Sequence, residues 1–179
     1  MKYQETTAHI EKLAHFTYSI LHLTLTPERF IDYHAGQYLQ ILLKNAELCY
    51  SIANAPLGSQ QYELHIRHNH DNPMDQHLLN ELHQQKSLTL RLPLGQCNLA
   101  QLHRNKPILF IAAGTGFAPV HAMMEQLLAS HFQHPLKLIW RARTKNDLYL
   151  DKKIRQPAMA AWLLLAYHRI FACHFGVSC

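Results

Sequence analysis

Gly114 and Gly116 stand in the segment GTGFAP (114–119), directly after the apolar run PILFIAA (107–113) and directly before VHAMMEQLLASHF, which has helical spacing. A Gly-x-Gly turn at that place lets the backbone approach a pyrophosphate closely, and the helix N-terminus adds N–H groups and the positive end of a dipole. Pro119 falls in the first helical turn, where a missing N–H costs little. The turn lacks the third glycine of the dinucleotide fingerprint, and no acidic residue ends the next strand, so an ordinary NAD-binding Rossmann domain fits poorly. The same residues also read as a strand-to-helix turn with no ligand.

A second candidate is CYSIANAP (49–56), where Tyr50 and Ser51 offer a ring and a hydroxyl. On a regular strand they face opposite sides unless the backbone bends there. His65, His68 and His70 are the closest approach to a metal-ligand cluster, among fifteen histidines in all. On a continuing strand 65 and 68 point to opposite faces, so no metal site is expected. Cys49 and Cys97 have no thiolate-stabilising neighbours in sequence, and no cysteine run suits an iron–sulfur cluster. Met123 and Met124 read as core.

The elements that must position these residues fall into two patterns. Up to about residue 100 the chain is β-rich: 15–27, 37–44, 49–56, 61–68 and 87–95 read as strands separated by Gly, Pro, Asn and Ser, the spacing of a small antiparallel barrel. One helix interrupts them, capped by Asp71 or Asn72, with Pro73 at its first position and apolar residues at 74, 78, 79 and 82. From 107 the order strand, Gly-rich turn, helix, strand (135–140) makes a βαβ unit, and its continuous apolar first strand predicts burial on both faces. A short helix in NDLYLDKKI follows. The segment 156–179 has no Asp or Glu and reads either as a misfit to the fold or as an apolar helix docked on the sheet.

Composition narrows the function classes. With 179 residues and 48% hydrophobic content, the chain fills a real core, in one ordinary domain or two small ones. The net charge of +5 is spread over scattered Lys and Arg, which favours a phosphate-bearing small molecule over nucleic acid. The apolar residues form no run long enough to span a bilayer. Four dispersed cysteines and an N-terminus without a signal-peptide stretch predict a cytoplasmic protein.

Taken together, HAGQYLQI (34–41), YSIANAP (50–56), ELHIR (63–67), LPLG (92–95), ILFIAAGTGFAP (108–119) and LIWRARTKNDLYL (138–150) resemble the ferredoxin reductase superfamily, most closely bacterial NAD(P)H:flavin reductases. The resemblance covers about 8–153. It implies an antiparallel six-stranded, Greek-key-type flavin-binding barrel (1–102), then a truncated parallel α/β nicotinamide-binding domain (103–155), with 156–179 as an atypical tail. It implies FAD or FMN, bound or exchanging, and NADH or NADPH. By position it assigns Tyr50 and Ser51 to the flavin ring and to catalysis. Further cofactor contacts fall at Ile52, Ala53, His65, Ile66, Arg67, Gly114, Thr115, Gly116, Pro119 and Arg143. Hydride transfer between stacked rings needs positioning more than acid–base groups, which agrees with a sequence lacking a triad or paired carboxylates.

Three departures stand out. Leu48 occupies the place of the family's arginine before the flavin tyrosine, so a charge-assisted hydrogen bond to a phosphate is missing and Arg67 is the candidate replacement. The family's Gly-x-x-Ser segment is absent around 68–79. Both features predict flavin as an exchanging substrate. Arg141 replaces a family glycine; with Arg143 and Lys145 it reads as solvated surface or as a contact for an anionic group. The family continues for some fifty residues more, so three readings stand: a flavin reductase, a non-catalytic flavin-binding protein or inactive remnant, and a reductase passing electrons to a partner protein.

Overall fold

The computed structural model describes residues 3–103, 105–154 and the backbone of 162–167. β1 (Gln4–Thr17) and β2 (Ile20–Pro27) form a long hairpin that turns at Tyr18 and Ser19. With β3 (Tyr38–Leu43), β4 (Ala46–Ser51), β5 (Tyr62–Arg67) and β6 (Ser87–Leu94) they make one antiparallel sheet in the order β4-β3-β6-β1-β2-β5. The sheet curls until its edges meet, where Ile52 bridges to Leu64. This is the expected six-stranded barrel, in the form of a curled half-barrel. The expected strand over 15–27 is instead the end of β1, a turn and β2. Polar residues disguise most of β1, because much of it is exposed.

Period-2 alternation decides what each barrel strand buries. Leu21, Leu23 and Leu25 of β2 and Tyr62, Leu64 and Ile66 of β5 are fully buried and share the barrel core. Helix α1 (Pro73–Gln84) closes one mouth with Leu78 and Leu82, and the Asn72 side chain caps it by accepting from the N–H groups of Met74 and Asp75. Tyr62 ties a loop to this core: its hydroxyl donates to the Ile31 carbonyl (2.9 Å) and accepts from the Ile31 N–H (2.8 Å).

The second sheet is parallel, β7 (Ile108–Ala113), β8 (Leu136–Arg141) and β9 (Trp162–Tyr167), in the order β7-β8-β9. Helix α2 (Phe117–Ala129) lies between β7 and β8 in sequence and covers one face; α3 (Asp151–Ile154) follows β8. Ile108, Phe110 and Ala112 pack with α2, and Phe117 stacks on Trp140 at 4.0 Å. Two expectations are corrected here. β7 is buried on one face only, with Leu109 and Ile111 53% and 71% exposed, because among the described residues the only long helix of this layer lies on the other side. The apolar block in the tail is not helical over 162–167: it pairs with β8 as a parallel strand. The expectations for 156–161 and 168–179 lie outside the described residues.

The two layers meet at Gly36. Its φ of +104° and the Cys97 carbonyl and Met123 sulfur beside its α-carbon leave no room for a side chain, so α2 approaches the barrel loop closely.

Replacing Tyr62 by Phe should lower unfolding free energy by about 1–3 kcal/mol, since it strands a buried backbone donor and acceptor at Ile31. Urea denaturation at neutral pH checks this; an unchanged midpoint contradicts it.

Candidate functional site

Three outward-facing residues of β5, Glu63, His65 and Arg67, alternate with its core residues and so form a row on the barrel's outer surface. The first two sit in the seam against the α2–α3 layer, and the third reaches a cleft at the end of that seam. The row therefore links what holds the layers together to what a ligand would meet.

At the seam, His121 of α2 donates from Nδ1 to the Ala53 carbonyl at 2.7 Å, and Glu125 one turn on accepts the Ala55 N–H at 3.1 Å. Lys153 Nζ lies 3.4 Å from His121 Nε2 and 3.6 Å from Glu125, so it pairs with both. Burial pushes the His121 imidazole below its ordinary range, against the pull of Glu125, which keeps Nε2 an acceptor. His65 Nδ1 is 3.0 Å from the Tyr149 hydroxyl, and burial lowers its pKa to about 2. Burial raises the Tyr149 phenol, so this pair is neutral. His22 Nε2 bonds Glu63 at 2.9 Å, which holds the Glu63 carboxyl below the usual carboxylate range.

The cleft has a volume of about 1030 Å³. That is the upper end of small-molecule sites, which run to roughly 1,000 Å³. The β1–β2 turn (Phe16–Ser19), the segment Arg67–Asp71 and the loop after β8 (Arg143, Thr144, Asn146, Asp147) form its walls. Arg67 is exposed, and its guanidinium lies 3.8 Å from the position of a Cβ on Gly114. Gly114 has φ +52° and its carbonyl accepts from the Trp140 indole at 3.0 Å, so β8 fixes the turn after β7. No side chain caps α2 at this turn. A side chain at Gly116 would meet nothing within 4 Å, so the turn is open to approach.

The expected site residues divide on this geometry. Arg67 and Arg143 line one cleft, and Gly114 flanks Arg67. Thr115 is half-buried beside it, Gly116 is exposed, and Pro119 is half-buried in the first turn of α2. Tyr50 and Ser51, both half-buried, end β4; Tyr50 packs with the barrel core near Asp75, and burial raises its phenol pKa. They are not part of the cleft wall. The side chains of Ile52, Ala53 and Ile66 are 0% exposed, so these positions can reach a cofactor only through backbone. The Ile52 N–H donates to Gln37, and Ala53 bonds Glu63 and His121 through its N–H and carbonyl, which spends that backbone within the protein. His65, expected at a cofactor, turns its side chain into the seam.

Sequence reasoning missed His22, His121, Glu125, Tyr149 and Lys153. The signal for His22 lies in the β2–β5 register, which sets it opposite His65; the others meet the barrel only when the layers dock. His65 and His68, expected on opposite faces, are both buried, in different surroundings. Leu48, in place of an arginine, packs against the barrel core.

A curled six-stranded antiparallel barrel followed by a parallel sheet with helices is the fold of flavin- and nicotinamide-binding reductases. Residues 8–99 match the oxidoreductase FAD-binding domain and 110–163 the oxidoreductase NAD-binding domain. The chain belongs to the ferredoxin-NADP reductase family. It is 37% identical over 133 residues to CDP-6-deoxy-L-threo-D-glycero-4-hexulose-3-dehydrase reductase of Yersinia pestis, covering 74% of this chain and 40% of that protein. It is 34% identical over 137 residues to terephthalate 1,2-dioxygenase reductase component 1 of Comamonas sp, with 76% and 40% covered. A probable flavin reductase of Photobacterium leiognathi is 28% identical over 137 residues, with 75% and 58% covered. The chain thus spans 40% of the length of the first two relatives. The ferredoxin reductase in carbazole 1,9a-dioxygenase shares the fold at TM-score 0.78 and 18% identity, with 93% of this chain and 50% of that chain covered. Among the described residues no helix is long and apolar enough to cross a membrane.

His68 supplies a pH test. It is 2% exposed, and burial, then His70 and His15, lower its pKa against the opposing pull of Asp75. The folded state therefore keeps it neutral while the unfolded chain takes up a proton below about 6.5, so its contribution is present above that pH and lost as pH falls. His68→Leu should make the loss of stability between pH 7.5 and 5.5 shallower, by up to about 1 kcal/mol per pH unit. Denaturation midpoints at the two pH values read this; parallel losses in variant and wild type contradict it.

Proposed function

We propose that the chain binds a flavin and a nicotinamide dinucleotide along the cleft and transfers hydride from NADH or NADPH to FMN, FAD or riboflavin. The observation that carries this reading is the apposition of Arg67, at the end of a barrel strand, with the Gly114 turn of the parallel layer. It brings a cation on the wall of a cleft of cofactor size beside the turn that leads into the α2 N-terminus. The portion 1–102 serves the flavin and 103–155 the nicotinamide; 156–179 is a third portion, of which β9 belongs to the parallel layer.

The residues fit such ligands by chemistry. Arg67 would hold a flavin phosphate, the contact that Leu48 cannot make. The turn Gly114–Thr115–Gly116, with Pro119 behind it, would receive a pyrophosphate on backbone N–H groups, and Arg143 an outlying anionic group. Tyr50 offers an aromatic face and Ser51 a hydroxyl donor at the end of β4. The flavin, when bound, supplies the electron-accepting ring. The protein's task is then alignment and water exclusion, which contributes through proximity and not proton transfer. With one arginine in place of two phosphate ligands, an exchanging flavin substrate is favoured over a permanent one.

A second reading, electron delivery to an acceptor protein, has its own support: the relatives at 34–37% identity carry names of reductases that serve a dioxygenase or a dehydrase. Free flavin as terminal acceptor and a protein acceptor are separated by whether NADH oxidation with flavin alone reaches full rate.

Stopped-flow loss of flavin absorbance on adding NADH or NADPH tests the proposal, and no loss with either overturns it. Arg67→Ala should raise the KM for FMN about tenfold and leave that for riboflavin, which has no phosphate, within about twofold. Tyr50→Ala and Ser51→Ala should lower kcat more than they raise the KM for NADH. Equal effects on FMN and riboflavin would remove Arg67 from the phosphate site.

A further inference from the structure

The polar cluster at the barrel end of the seam has a composition that hydrogen bonding alone does not require. His22 and His65 are direct cross-strand partners on β2 and β5, and Glu63 precedes His65 by two residues, so all three side chains project from the same outer face. We propose that His22, Glu63 and His65 form a site for a divalent transition-metal ion of the zinc type, at the seam between the barrel and the α2–α3 layer.

Three observations support it. One ring nitrogen of each histidine and a Glu63 carboxylate oxygen all lie within 4.8 Å of one another, with His22 Nε2 already 2.9 Å from Glu63. Zinc bonds of about 2.0–2.1 Å place neighbouring ligand atoms roughly 3.3 Å apart, so closure needs side-chain movements of about an ångström. His65 is 5% exposed while Glu63 keeps a half-exposed side chain, which shields an ion and leaves a path for its entry. The Tyr149 hydroxyl engages His65 Nδ1 and so orients the ring, as outer-shell partners of metal-bound histidines do.

The surroundings are compatible with a cation. Phe16 stacks on His22 at 4.7 Å and meets the edge of His65 at 5.1 Å, forming an apolar wall. Lys153, which faces the cluster from α3, is paired with Glu125, and His121 is committed to the Ala53 carbonyl. Two imidazoles and one carboxylate match zinc, cobalt or nickel better than calcium or magnesium. Because Tyr149 belongs to the second layer, an ion on His65 would strengthen the seam as well as the barrel.

The test uses the full chain, untagged and chelator-stripped, in equilibrium dialysis against Zn²⁺ with elemental analysis. One ion per chain is expected. His22→Ala and Glu63→Gln should each weaken binding at least about tenfold, and Tyr149→Phe about tenfold with the stoichiometry kept. His70→Ala, which removes an exposed imidazole outside the cluster, should leave the zinc affinity within about twofold. Zn²⁺ should also raise the Tm of the wild type and not that of Glu63→Gln, a near-isosteric change that carries the test if His22→Ala fails to fold. Wild-type chain that takes up no ion, or uptake that survives Glu63→Gln, overturns the proposal. Uptake abolished by His70→Ala assigns the ion to surface histidines and overturns it equally.

Discussion

The hold of α2 on the loop Ala53–Ala55 is the constraint on which the remaining geometry depends. Two hydrogen bonds cross there in opposite senses: an imidazole donates to a barrel carbonyl, and a barrel N–H donates to a carboxylate. In a half-buried setting such bonds are directional and expensive to leave unmade, so they fix orientation where apolar contact alone would allow sliding. The Gly36 approach sets the distance between layers, and the seam sets the angle. The cleft exists because the same docking leaves the ends of β5 and β7 facing one another without filling the space beyond them.

Much of this is legible in the sequence, and for identifiable reasons. The helix over 73–84 announces itself by Asn72 and Pro73, and the turn at 114–116 by its glycines between an apolar strand and an amphipathic helix. Both signals are local, set by backbone demands that few residue types meet. The polar half of β5 is legible only as polarity. Its alternation separates Tyr62, Leu64 and Ile66 from Glu63, His65 and Arg67, but nothing local says that the second set is covered by another layer. Sequence position therefore points His65 at a cofactor, while its side chain serves the docking of Tyr149.

Strand extent and strand burial are hard to read for a related reason. β1 carries Glu, Lys and His on a face that meets solvent, so most of it lacks the apolar run by which a strand is recognised. Conversely, PILFIAA is apolar almost throughout, and only alternate residues of β7 are buried among the described elements. Composition reports what a strand tolerates, whereas the number of layers that cover it is a property of the assembled fold.

Helix α2 starts at Phe117, directly after the glycine turn that Arg67 approaches, and grips the barrel at His121 and Glu125, about 6 and 12 Å further along a single rigid element at 1.5 Å per residue. The helix is thus a strut with one load point at its start and two along its middle. A displacement of the glycine turn cannot be absorbed between them without breaking helical hydrogen bonds, so it arrives at the barrel loop nearly undiminished, and the two layers respond to an event at the turn as one body.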